Sequence, residues 1–223
     1  MPLAPALFAW PPQAAVGRVV PKNKVYVHAR PSPALRARFV AQVEQIVWAF
    51  KLAPETVNLP AAPEVPEIEL FRIAQKTPEL DLDVLRCIDR AIPFPILFEL
   101  QHAGRSRGVA AYKRPAEGKA TQWVPGEYFV TPWQPDEATR AGLPVALDLG
   151  GLYGELIRAH MPLPARPGES LRAQVERLAL LREAEAAARK LAARLATEPQ
   201  FNRKVELNAQ LRTIRTRLES LSR

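Results

Sequence analysis

After Pro33 the apolar residues Leu35, Phe39, Val43, Ile46, Val47 and Phe50 recur at spacings of three and four. That period predicts a helix from Pro33 to about Phe50, with Ser32 ahead of a proline at the first helical position. Glu67 to Lys76 alternates instead: Ile68 and Leu70 on one side, Glu69, Phe71 and Ile73 on the other, the pattern of a strand. Thr77-Pro78-Glu79 opens a helix that Pro93 and Pro95 stop near Ala91. Ile96–Leu100 and Gly108–Lys113 flank the turn residues Ala103-Gly104-Arg105-Ser106 and form a hairpin. Glu127–Thr131, beyond a polar loop holding Gly118, is a third strand and Leu143–Leu149 a further candidate. Gly150 and Gly151 lead into a short helix, Leu152–His160. Residues 1–33 read as a proline-rich extended arm anchored by Phe8 and Trp10, with a short alternating stretch before His28. This order predicts an α+β fold, a mixed and largely antiparallel sheet with flanking helices.

The pattern changes at Met161–Gly168, a stiff proline-rich linker. Beyond it Ser170 caps a helix expected to run to about Thr197, with an apolar stripe through Leu171, Val175, Leu178, Leu181, Ala184, Ala188, Leu191 and Leu195. Glu198–Asn202 breaks the run. Leu207, Leu211, Ile214, Leu218 and Leu221 then follow a heptad. Two stripes joined by a short turn predict a C-terminal antiparallel helical hairpin of coiled-coil type. The expected division is a body at 1–162, a linker at 163–168 and a hairpin at 169–223.

Proline is unusually frequent, 23 of 223 residues, and 21 of them precede residue 167, so long helices are expected only in the last quarter. The charge is +8, from 31 basic and 23 acidic residues, which favours acidic partners such as nucleic acid. The single cysteine, Cys87, excludes an intrachain disulfide and a cysteine-based zinc site, and its helical context suits a buried inert thiol. No stretch reaches a membrane span, and the apolar start lacks a basic leader region, so a cytoplasmic protein with no membrane contact is expected.

Candidate chemistry is sparse. The histidines His28, His102 and His160 lie in separate segments with no metal-ligand spacing, and neither a phosphate-binding loop nor a serine-hydrolase elbow occurs. The diglycine before Leu152 is read as a tight turn. One arrangement resembles a metal-dependent nuclease of the PD-(D/E)XK kind: Glu99 on one hairpin strand and Lys113 on the next, with Glu69 as a substitute acid. There two carboxylates would hold Mg²⁺ and the lysine would assist the attacking water. Ala111 stands where the second acid belongs, which weakens the case. That nuclease is the alternative expectation, and the only one that needs a cofactor.

Basic residues give the stronger pattern. Lys22 and Lys24 flank Tyr26; Arg105 and Arg107 sit at the hairpin turn; Lys113 and Arg114 close it; Arg203, Lys204, Arg212 and Arg215, with Arg217, run along the last helix. Interleaved with Tyr112, Trp123 and Trp133, they are expected to bind a partner or nucleic acid through phosphate contacts and base stacking.

The segments PKNKVYVHA (21–29), KLAPETVNLP (51–60), TPELDLDVLRCIDRAIPFPILFEL (77–100), AYKRP (111–115), LPARPGE (163–169) and FNRKVELN (201–208) resemble the bacterial domain of unknown function 4391 family, from about Phe8 to Leu218. The resemblance implies a context and assigns no catalytic residue, because members often stand beside helicases, DNA methyltransferases and restriction-type subunits in phage-defence loci. The expected function is a non-catalytic accessory subunit docking on a helicase, methyltransferase or nuclease partner and contacting DNA, with the hairpin offering a contact for homo-oligomers.

Overall fold

A computed structural model describes residues 7–116 and 119–223, with the side chains of residues 114–123 outside the description. The chain forms two compact units, Met1–Pro162 and Leu163–Arg223. The first contains β1 (Ala15–Val19), α1 (Lys22–Ala29), α2 (Pro33–Gln42), β2 (Val43–Leu52), the short α3 (Pro54–Val57), β3 (Ile68–Gln75), α4 (Leu82–Ala91), β4 (Ile96–His102), β5 (Arg105–Ala116), β6 (Lys119–Val130), β7 (Gln134–Pro135) and α5 (Leu149–His160). Its seven-stranded sheet runs β1-β2-β3-β4-β5-β6, with β7 also beside β5. Among these strands of the described residues only β3 and β4 pair in parallel. A parallel pair needs a crossover, and α4 supplies it. The mixed, largely antiparallel sheet with flanking helices is therefore the α+β architecture expected.

Strand alternation gives the sheet two inward faces. Ile46, Phe71, Ile73, Phe98, Leu100, Val109 and Ala111 point one way and pack with Phe39 of α2 and with Val84, Leu85, Cys87 and Ile88 of α4. Burial pushes the Cys87 thiol pKa up, as suits an inert thiol. Leu97 and Glu99 point the other way, the side on which Phe8 packs against His160 of α5 at 6.4 Å. Phe8 is buried and Trp10 lies against Phe50, so both anchor the N-terminal segment. The β4–β5 hairpin turns through Ala103 and Gly104, both at positive φ, the conformation of a two-residue turn between twisted strands.

Several boundaries differ from the sequence expectation. The helix from Pro33 ends at Gln42, and Val43–Leu52 is a strand paired on both edges. The spacing 43, 46, 47, 50 fits either period over so short a run, and tertiary pairing decides for the β-branched and aromatic residues found there. Lys22–Ala29 is a helix rather than an extended stretch, and Ala15–Val19 of the expected arm is an edge strand of the sheet. Leu143–Leu149 forms no strand; Val145 and Leu147 stand in solvent. The diglycine lies inside the first turn of α5, capped by Asp148, whose Oδ1 accepts from Gly151 N–H at 2.7 Å. A Cβ on Gly150 would meet Ala62 at 2.9 Å, so this position must be glycine for α5 to sit where it does.

In the second unit α6 (Leu171–Thr197) and α7 (Phe201–Ser222) pack as the expected hairpin. Ser170 Oγ caps α6 by accepting from Ala173 N–H at 3.2 Å. Leu178 and Ala184 of α6 and Leu207 and Leu211 of α7 are buried, as the seam requires. Arg177 fastens the base. Its Nε and Nη2 each lie 2.7 Å from a Glu169 oxygen, and it donates to the carbonyls of Pro164 and Leu221, also at 2.7 Å. One guanidinium thus ties the linker, the start of α6 and the end of α7 together.

Candidate functional site

The three residues of the nuclease alternative are not brought together. Glu99 is 2% exposed on the sheet face away from α4. Arg140 clamps both its oxygens, at 2.8 and 2.9 Å, and Arg72 approaches at 3.4 Å. Two guanidiniums already take up its charge, and Arg140 also donates to Phe8 O. Lys113 points to the opposite face and is also 2% exposed. Its ammonium donates to Asp89 Oδ1 at 2.7 Å and to the carbonyls of Asp89, Ile92 and Phe94 at 2.6 to 2.9 Å. It caps the C-terminal end of α4, where free carbonyls favour a cation. Tyr128 donates to the other Asp89 oxygen at 2.7 Å, and burial raises its phenol pKa.

The backbone at Lys113 explains its aim. A register shift between Ala111 and Lys113 breaks the β5–β6 ladder. Tyr153 of α5 fills the gap, its hydroxyl accepting from Lys113 N–H and donating to Ala111 O, both at 2.9 Å. Glu69 is buried at the start of β3, where it accepts from Trp48 Nε1. Burial, and then a hydrogen bond with Glu67, push it well above the usual carboxylate range, and Lys51 pairs with Glu67 at 2.7 Å. Among the described residues no group of three or more His, Cys, Asp or Glu is placed to hold a metal ion.

The basic candidates divide between core and surface. Lys22 donates to Val43 O at 2.6 Å, and burial, with Lys76 nearby, lowers its pKa. Tyr26 packs edge-on against Phe39 at 5.4 Å, and Arg36 lies over its ring, so that face is not free for a base. Arg107 lies over Trp133 at 4.3 Å and reaches Glu79 at 3.6 Å. Arg105 is exposed and donates to Trp133 O at 3.1 Å. The side chains of Arg114 and Trp123 lie outside the described residues. Lys24 is exposed on α1.

The last helix is different. Arg203, Lys204, Arg212 and Arg215 are all exposed, and none has an ion-pair partner among the described residues. At 100° per residue, Lys204, Arg212 and Arg215 fall within about 80° of one another on one flank of the leucine seam. They span about 16 Å along the axis, so three cations line one accessible stripe.

Sequence reasoning missed Asp89, Arg140 and Arg177, and with Arg177 the pairing of Glu169. Each partner of a buried ion pair is distant in sequence or outside any motif. The one available signal was a charge inside an apolar strand, Glu99 in Ile96–Leu100 and Lys113 after Val109–Tyr112, which must be paired if that position faces inward.

No helix among the described residues is long and apolar enough to cross a membrane. No curated protein and no solved structure matches the chain. One family model does, over residues 8–218 and hence nearly the whole sequence: the chain belongs to the family described as Domain of unknown function (DUF4391).

Proposed function

We propose that the chain is a non-catalytic accessory subunit of a bacterial DNA-targeting system, of the restriction or phage-defence kind. It docks on a helicase, methyltransferase or nuclease partner and touches the DNA backbone with α7. The observation that carries this is the stripe of Lys204, Arg212 and Arg215, exposed and without ion pairs among the described residues. Arg177 and Arg140 are each held by a carboxylate and by backbone carbonyl oxygen; no such contact to the side chains of Lys204, Arg212 and Arg215 occurs among the described residues. Unpaired cations in one line suit a polyanion, whose counterions they displace. The locations of Glu99 and Lys113 support the non-catalytic part, since each is consumed by a structural contact.

Two assays on the full chain test the proposal. Tagged protein captured from its host is expected to bring down a helicase, methyltransferase or nuclease subunit. Purified protein incubated with plasmid and Mg²⁺ or Mn²⁺ is expected to leave the plasmid intact. Cleavage that disappears in Glu99→Ala, or capture of no such subunit, would overturn it.

A further inference from the structure

An apolar cavity of about 140 Å³ lies between α1 and α4 over the sheet. Ile46, Phe71, Ile88 and Val25 supply apolar walls, while Lys24 and His28 line it from α1. A helix packed on a sheet ordinarily carries apolar residues at i, i+3 and i+4. On α1 the two positions one turn apart that border the cavity are Lys24 and His28, both exposed. Val25 is the buried residue of α1, with Tyr26 and Ala29 at the margin of the core, so the space beside it stays unfilled. Departures of this sort from the pattern that stabilises a fold are expected where a surface binds something.

Size selects the occupant. Sites for metabolites measure roughly 300–1,000 Å³. A cavity of about 150 Å³ accepts one benzene-sized group. The space under α1 therefore matches one side chain in size. A second hollow of about 410 Å³ shares Val20 and Ile46 with it and can seat the chain that carries that side chain. Charge selects the flanking residues. Lys24 and His28 have no ion-pair partner among the described residues, and Glu44 is the one carboxylate lining either hollow.

We propose that this cavity receives one aromatic or branched aliphatic side chain of a partner protein, flanked in the partner by carboxylates that face Lys24 and His28. The proposal rests on the accessory-subunit function above and places its protein contact on the first unit. Such anchors, one apolar side chain seated in a pocket, carry much of the affinity of protein interfaces.

The probes are three acetylated, amidated tetrapeptides, Asp-Phe-Glu-Asp, Lys-Phe-Lys-Lys and Asp-Ala-Glu-Asp, and phenylacetate. Each is titrated into the full ¹⁵N-labelled chain while backbone amide shifts are followed. The acidic phenylalanine peptide is expected to move the amides of Val20, Val25 and Ile92 with a Kd of about 1 mM. The other two peptides and phenylacetate are expected to bind at least about tenfold more weakly. Ala91→Leu, which fills the cavity, and the surface variant Lys24→Glu/His28→Glu are each expected to weaken the acidic peptide by at least about tenfold. Equal binding of the basic peptide, the alanine peptide or phenylacetate overturns the proposal. So do shifts confined to other residues, wild-type affinity in both variants, or no shifts. The capture assay is scored separately: peptide binding without capture of a DNA-system subunit overturns the accessory function alone, and capture without peptide binding overturns the pocket alone.

Discussion

Lys113→Met is expected to lower the stability of the chain by about 3–5 kcal/mol, the range seen when one partner of a buried ion pair is removed. Its ammonium has four oxygen acceptors, one of them the Asp89 carboxylate, and both side chains are about as buried as any in the core. Methionine occupies a similar volume, so little of the effect is a cavity. What remains is a carboxylate buried without its cation and three carbonyls at the end of α4 without a donor. Tyr128 alone still donates to Asp89. The double variant Asp89→Asn/Lys113→Met removes the orphaned charge and is expected to recover part of the loss. Urea unfolding of the three proteins measures this. A lysine kept for chemistry would behave in reverse: the single variant would keep its unfolding midpoint.

The second large effect belongs to the hairpin. Arg177→Met removes donors to Glu169, Pro164 O and Leu221 O at once, and is expected to cost about 3–5 kcal/mol, read as lost helical signal on heating. The same contact makes the second unit sensitive to acid. Pairing with Arg177 holds the Glu169 carboxyl down to about 2, against an ordinary 4.5. A folded-state value below the unfolded one stabilises the fold above the ordinary value, and that contribution fades as pH falls toward 2. Thermal melts followed by circular dichroism should therefore fall between pH 5 and about pH 2 in the wild type. Glu169→Gln should start lower and lose this contribution to the slope. A wild-type melting temperature that does not fall across that window would contradict the role given to this pair.

The hairpin was legible in the sequence because the four-three-four-three spacing of Leu207 to Leu221 admits one regular solution over several turns. The β4–β5 hairpin was legible because Ala103-Gly104 sits between two apolar runs, and glycine is suited to the positive φ that such a turn needs. Val43–Leu52 was not, since the spacing of Val43, Ile46, Val47 and Phe50 satisfies a helix and a strand alike, and the pairing with β1 and β3 that settles it comes from distant segments. Helix α1 was hidden by Val25, Tyr26 and Val27, residues that favour strands, and by the lack of an apolar stripe. The same missing stripe leaves the cavity beneath it. The sites were less legible than the fold. Lys113 and Glu99 look like solvated or catalytic charges along the chain, and become structural only when Asp89 and Arg140, 24 and 41 residues away, fold against them. The exposure of Arg203, Lys204, Arg212 and Arg215 on α7 was legible because their setting is local: a helix with one apolar seam leaves the remaining flanks to solvent.

The most direct measurement is the salt dependence of duplex DNA binding, followed by fluorescence anisotropy, for the wild type and for Lys204→Gln/Arg212→Gln/Arg215→Gln. Each phosphate neutralised contributes about 0.9 to the slope of log K against log salt. If α7 lies along the DNA backbone, the wild type binds with a steep negative slope. The variant is then weaker at low salt, with a slope reduced by about two to three. Affinity and slope unchanged by the three substitutions, or wild-type protein that shows no salt-sensitive DNA binding, would contradict the account.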